Sequence, residues 1–66
     1  GAMKKAAVLQ QNVKKGDVFT IDKIKFQRTE KTTDLSQLEA IKRLGDLIIN
    51  DLKAGTVIYS KHLHKK

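Results

Sequence analysis

Residues 12–24, NVKKGDVFTIDKI, return thirty-nine positions later as residues 51–63, DLKAGTVIYSKHL, with no gap between the two copies. Lys14 matches Lys53, Gly16 matches Gly55 and Val18 matches Val57, while Val13/Leu52, Phe19/Ile58 and Ile24/Leu63 stay apolar in both. A glycine kept in register implies a backbone angle open mainly to glycine, so each copy reads as a turn between apolar residues that face the core. Two similar halves are therefore expected.

Before the first copy, residues 6–11 read as a short strand of modest hydrophobicity. Residues 18–24 continue as strand and then turn. Thr20 stands where it would cap a single helical turn through Ile21, Asp22 and Lys23, after which Ile24 and Phe26 resume an alternation that points Lys25 and Gln27 to water. Residues 29–34, TEKTTD, are polar without apolar anchors and predict an exposed, mobile loop. Residues 35–45, LSQLEAIKRLG, carry the clearest local signal. Ser36 with Glu39 forms a capping box, Leu38, Ile41 and Leu44 make an apolar stripe expected in the core, Lys42 and Arg43 suit the end of the helix dipole, and Gly45 suits a left-handed stop. Residues 47–52 predict a strand, and the second copy follows, with Gly55 at its turn and Ser60 in a cap-like position.

Sixty-six residues allow one domain at most, with about 60% of the unfolded surface buried and little room for an elaborate active site. Without cysteine there are no disulfides or thiolate metal sites, and the cytoplasm is the expected compartment. No apolar run approaches a membrane span, and the first residues lack the apolar region of a signal peptide. Gly1, Ala2 and Met3 resemble the remnant of a cleaved affinity tag, so the domain is expected to cover residues 4–66 and to have been excised from something larger. Fourteen Lys and Arg against seven Asp and Glu give a net charge of +7. The cations are spread in pairs, and Phe19 and Phe26 sit in apolar patterns rather than beside them, so neither nucleic acid nor membrane is the expected partner. A solvated basic surface and an anionic ligand both remain compatible with this charge.

No catalytic constellation is present: the serines and threonines lack His and Asp partners at a recognisable spacing, and no glycine-rich phosphate loop occurs. His62 and His64 would share a face of a strand as a metal pair. Two ligands rarely suffice, and a frayed C-terminus accounts for them better, so no metal residue is assigned. Arg28 ends the alternating segment and opens the polar loop, a common place for ligand contacts. On position alone, a solvated arginine is the commoner case.

The two copies, Arg28 between them and the segment SQLEAIKRLG together resemble the antifreeze-like (SAF) domain at the C-terminus of sialic acid synthases, a family that includes type III antifreeze proteins and domains of pilus and flagellar assembly proteins. The resemblance covers residues 7–63. It implies a mostly β fold with short helices, a compact, pretzel-like β-clip with two pseudo-twofold related halves. It also implies a non-catalytic lid and substrate-recognition role: in the synthases this domain covers the TIM barrel of the partner subunit in a homodimer. The barrel condenses phosphoenolpyruvate with an N-acetylated amino sugar and holds a divalent metal, Mn or Mg, whereas the small domain carries no cofactor. The family's arginine at this strand end hydrogen-bonds the acetamido oxygen of the sugar, and Arg28 occupies its position. The loop here departs from the family pattern, being longer and lacking its Pro and Gly, so Glu30, Lys31 and Thr32 are the expected adjusters of substrate choice, and they join Arg28 and Thr29 as the expected substrate-binding residues. The isolated domain is expected to be monomeric. Two other readings stand beside this one. An anionic-polymer-binding module of a pilus, flagellar or polysaccharide-processing protein would use the basic surface, while ice binding is opposed by charges at Asp17, Asp22 and Lys23.

Overall fold

The computed structural model describes residues 5–66; the tag remnant assigned to residues 1–3, together with Lys4, lies outside the described residues. Strand β1 is Lys5–Leu9, β2 is Ile24–Arg28, α1 is Gln37–Lys42, β3 is Leu47–Ile48 and β4 is Leu63–His64. Single 3-10 turns at Ile21–Lys23 and Ser60–His62 introduce β2 and β4. β1 pairs antiparallel with β2, setting Lys5 opposite Arg28 and Leu9 opposite Ile24, and β3 pairs antiparallel with β4. The result is a small β-rich domain of short antiparallel strands.

The two halves, each copy with the strand before it, bond each other reciprocally. Gly16 N–H donates to Ile48 C=O at 2.7 Å and Ile48 N–H to Asp17 C=O at 2.8 Å; thirty-nine residues on, Gly55 N–H donates to Leu9 C=O at 2.8 Å and Leu9 N–H to Thr56 C=O at 3.0 Å. The isolated bridges Val8 to Val57 and Val18 to Leu47 exchange in the same way. So do two side-chain bonds: Asn12 Oδ1 accepts from Ala54 N–H at 2.9 Å, and Asp51 Oδ1 from Lys15 N–H at 2.8 Å. Val13 and Leu52 match each other in the repeat and also bond each other, at 2.8 and 2.9 Å. Gly16 and Gly55 have φ of 93° and 90°, a region costly for residues with a Cβ, which accounts for glycine in both copies.

The core is built from matched positions: Phe19 with Ile58, Leu9 with Ile48 and Ile24 with Leu63 are all buried. β1 lies inside the fold rather than on its edge. Ala7 and Leu9 face the main core, while Ala6 and Val8 pack with Val57 and Tyr59 on the other side, so small residues suit a strand covered on both faces. The strand runs Lys5–Leu9 rather than over residues 6–11, because Gln10 turns its side chain to Ile24 C=O at 2.8 Å. Gln27, expected in water, is half-buried beside buried Ala6.

The capping box is present, with Ser36 Oγ accepting from Glu39 N–H at 3.1 Å and Glu39 Oε1 from Ser36 N–H at 3.2 Å. Ser36→Ala is expected to cost about 1 kcal/mol, lowering Tm by about 4–8 °C in a domain of this size, as read by thermal unfolding. The helix stripe is a correction. Leu38 is 62% and Ile41 43% exposed, whereas Ala40 is fully buried. Leu35 enters the core before α1 begins, so the face behind it is turned inward, and α1 settles on β1 through the small Ala40, with Leu44 closing the contact. Gly45 ends this segment at φ 99°. Arg43 pairs with the buried Asp46, tying the end of α1 to the start of β3.

Three further expectations change. The strand over residues 47–52 shrinks to Leu47–Ile48, because the chain bends at Asn50 and Asp51 is drawn to Lys15. Thr20 precedes the first 3-10 turn, but its hydroxyl bonds Asp22 instead of capping. Ser60 lies within the second turn, where Tyr59 holds the place before it, and both the Ser60 amide and hydroxyl go to Asp34.

Candidate functional site

β2 delivers Arg28 to an exposed strand end, beside Thr29 along the chain and Lys5 across the ladder. Among the described residues its guanidinium has no hydrogen-bond or ion-pair partner. Lys5, Thr29, Glu30, Lys31 and Thr32 line a recess of about 420 Å³ together with Ser36 and Glu39. The structure thus gathers four of the five predicted residues in one concavity and leaves Arg28 next to it rather than in its lining.

Residues 29–34 are largely exposed, as expected, but anchored by polar groups where apolar anchors are lacking. Thr33 Oγ1 donates to Ile58 C=O at 2.6 Å and accepts from Leu35 N–H at 3.2 Å. Asp34 Oδ1 accepts from Ser60 N–H at 2.9 Å. The bonds to Ile58 and Ser60 tie the unrepeated segment to the second copy. They anchor the end of the loop at Thr33 and Asp34.

The Ser60 hydroxyl, then the Ser60 amide, hold the Asp34 carboxyl below its ordinary range, and the Ser36 amide and hydroxyl do the same for Glu39. The recess therefore presents carboxylate acceptors together with the ammonium groups of Lys5 and Lys31 and the hydroxyls of Thr29 and Thr32. Such a mixed lining matches a neutral ligand rich in hydroxyl or amide groups better than a polyanion, whose charge would meet Glu30, Asp34 and Glu39.

His62 and His64 do not form the strand-face pair or the frayed end. His62 lies half-buried in the second 3-10 turn, its Nδ1 accepting from Tyr59 N–H at 3.0 Å, while His64 sits in β4 opposite Leu47. Among the described residues no three His, Asp or Glu side chains stand together as a metal-binding group. Among those residues, too, no helix is long and apolar enough to cross a membrane.

Burial, and then the neighbouring Lys61, lower the His62 pKa below its ordinary 6.5, with Asp34 opposing. The unfolded chain then takes up the proton first as pH falls. Stability from His62 is complete above about pH 6.5 and declines as pH drops from there through the folded value. Urea midpoints are expected to fall from pH 7.5 to 5.5, with His62→Gln removing much of the drop. Asp22, Asp34 and Glu39, held low by their hydrogen bonds, keep their charge through this window.

Pairing of Lys5 with Arg28 was hidden in the sequence because a long connection, residues 10–23, separates β1 from β2 and gives no hairpin signal. Ser36 and Glu39 read only as a helix cap, yet the same residues wall the recess. No protein-family model matches the chain, and no curated protein matches it.

Proposed function

We propose that this chain is a non-catalytic substrate-recognition and lid domain of a sialic-acid-type synthase, with the β-clip arrangement of the antifreeze-like domains. The observation that carries the reading is Arg28 at an exposed strand end without a protein partner, next to a mixed-charge recess walled by the unrepeated loop. A guanidinium offers a rigid fork of donors to a carbonyl oxygen, and the recess beside it offers acceptors and donors to sugar hydroxyls. An N-acetylated amino sugar combines both requirements. The reciprocal bonding of the two copies supports the β-clip part of the reading.

In this reading the domain closes over the TIM barrel of the partner subunit in a homodimer, excluding water and positioning the acceptor while the barrel, with its divalent metal, does the chemistry. The uncovered Leu38 and Ile41 supply an apolar face for that contact. The chain by itself is then a monomer in the cytoplasm. Ice binding finds less support, because Asp22 is exposed and its carboxyl is held ionised by the Thr20 hydroxyl.

The test is Arg28→Ala in the synthase containing this domain: KM for the N-acetylated sugar should rise while that for phosphoenolpyruvate holds. Equal changes in both would reject the assignment.

A further inference from the structure

The two copies share a backbone but not a charge pattern. A second recess, of about 470 Å³, lies at the turn of the second copy, lined by Thr56, Val57, Tyr59, Lys61 and His62 and, from the unrepeated loop, by Lys31. No carboxylate lines it. The matching positions of the first copy hold Asp17 for Thr56 and Asp22 for Lys61. There the charges are used internally: Asp17 accepts from Lys14 N–H at 2.9 Å, Asp22 from the Thr20 hydroxyl, and Lys23 Nζ donates to Val18 C=O at 2.6 Å. In the second copy both acidic positions are gone, and a cation replaces one of them.

The Thr56 hydroxyl is committed to Lys53 C=O at 2.6 Å, but three other side-chain donors of this recess are not. Among the described residues, neither the Lys31 nor the Lys61 ammonium has a hydrogen-bond or ion-pair partner; Lys61 Nζ stands 5.4 Å from the centre of the Tyr59 ring. Because His62 Nδ1 accepts from Tyr59 N–H, the neutral imidazole keeps its proton on Nε2 and remains a donor. Two backbone donors of the turn are already taken, Gly55 N–H by Leu9 C=O and Thr56 N–H by Lys53 C=O.

We infer that this recess binds a phosphate group through the Lys31 and Lys61 ammonium groups and the His62 imidazole. Two ammonium charges match a phosphate dianion, and three donors from the loop and the turn suit a tetrahedral oxyanion better than a planar carboxylate. The phosphate is either free or carried on a small molecule that rests against Tyr59. The two recesses share Lys31, but Lys61 and His62 line only the second, so the inference is separable from the reading of Arg28 through those two residues.

The experiment is an amide NMR titration of the chain at pH 7.0 with inorganic phosphate, glucose 6-phosphate and glucose, at ionic strength held constant with sodium chloride. Saturable shifts centred on Lys31, Thr56, Tyr59, Lys61 and His62 are expected with both phosphates and not with glucose. Tighter binding of the sugar phosphate identifies a phosphorylated small molecule, and equal binding identifies free phosphate. Bound phosphate should also raise the His62 pKa against the opposing charge of Lys61, while Asp34, already engaged by Ser60, stays ionised throughout. Lys61→Gln should weaken binding about five-fold, as expected for one exposed charge, and Lys42→Gln on α1 should leave it unchanged. Non-saturating shifts spread over the lysines, or equal losses in the two variants, would overturn the inference.

Discussion

Phe19→Ala is expected to remove a large share of the chain's stability, seen as a sharply lower urea midpoint. Phe19 is wholly buried, and its backbone is clasped on both sides: its N–H donates to Asp46 C=O at 2.8 Å, and its C=O accepts from Gly45 N–H at 2.8 Å. Truncating a buried phenylalanine costs about 3–5 kcal/mol, through lost transfer energy and the cavity left behind. A domain of this length commands only about 3–10 kcal/mol in total. Ile58→Ala, at the matching position, is expected to cost about 2–5 kcal/mol for the same reason. Because the copies bond each other, amide signals from both should collapse together at one urea concentration. Persistence of dispersed signals from residues 51–63 after loss of those from residues 12–24 would show that the halves stand independently.

Arg28→Ala should raise KM for the N-acetylated sugar by about ten- to a hundred-fold in the synthase, if the proposed role is correct. The figure follows from one hydrogen bond to a charged donor, worth about 1.5–3 kcal/mol, with about 1.4 kcal/mol per factor of ten. Arg28 is exposed and bonds no other described group, so its removal leaves no buried partner unsatisfied and should not disturb folding. The stability of the variant domain, measured in urea, is therefore expected to match the parent within about 0.5 kcal/mol. Arg28→Lys separates charge from shape: an ammonium keeps the charge but not the planar fork, so only partial recovery of KM is expected. Full recovery by lysine would point to a purely electrostatic role.

How far the sequence could be read depended on the range of the interaction. The glycines at 16 and 55 and the capping box at Ser36 and Glu39 are decided within a few residues, and all appear as expected. The single turns through Ile21 and Ser60 belong to this group, although Thr20 and Ser60 use their hydroxyls elsewhere. The inward face of α1 was not legible, because three apolar residues at helical spacing outvote one alanine. Leu35, just outside the helix, decided the matter by entering the core first. Residues 29–34 show the same limit in polar form, since Thr33 and Asp34 reach partners in the second copy that only the folded chain brings near. For the candidate site, the loop residues and Arg28 were legible as a strand end meeting a polar segment. Lys5 and Glu39 joined through pairing and packing that no local pattern announces.

The bonds that join the two halves also govern how quickly the chain can reach this state. Gly16 to Ile48, Gly55 to Leu9 and Val13 to Leu52 each close a long stretch of backbone, and their entropy must be lost before any of them rewards it. The six-residue helix is too short to persist alone as a nucleus. Folding should thus be slow for so small a protein, in the millisecond-to-second range typical of domains built on non-local pairing.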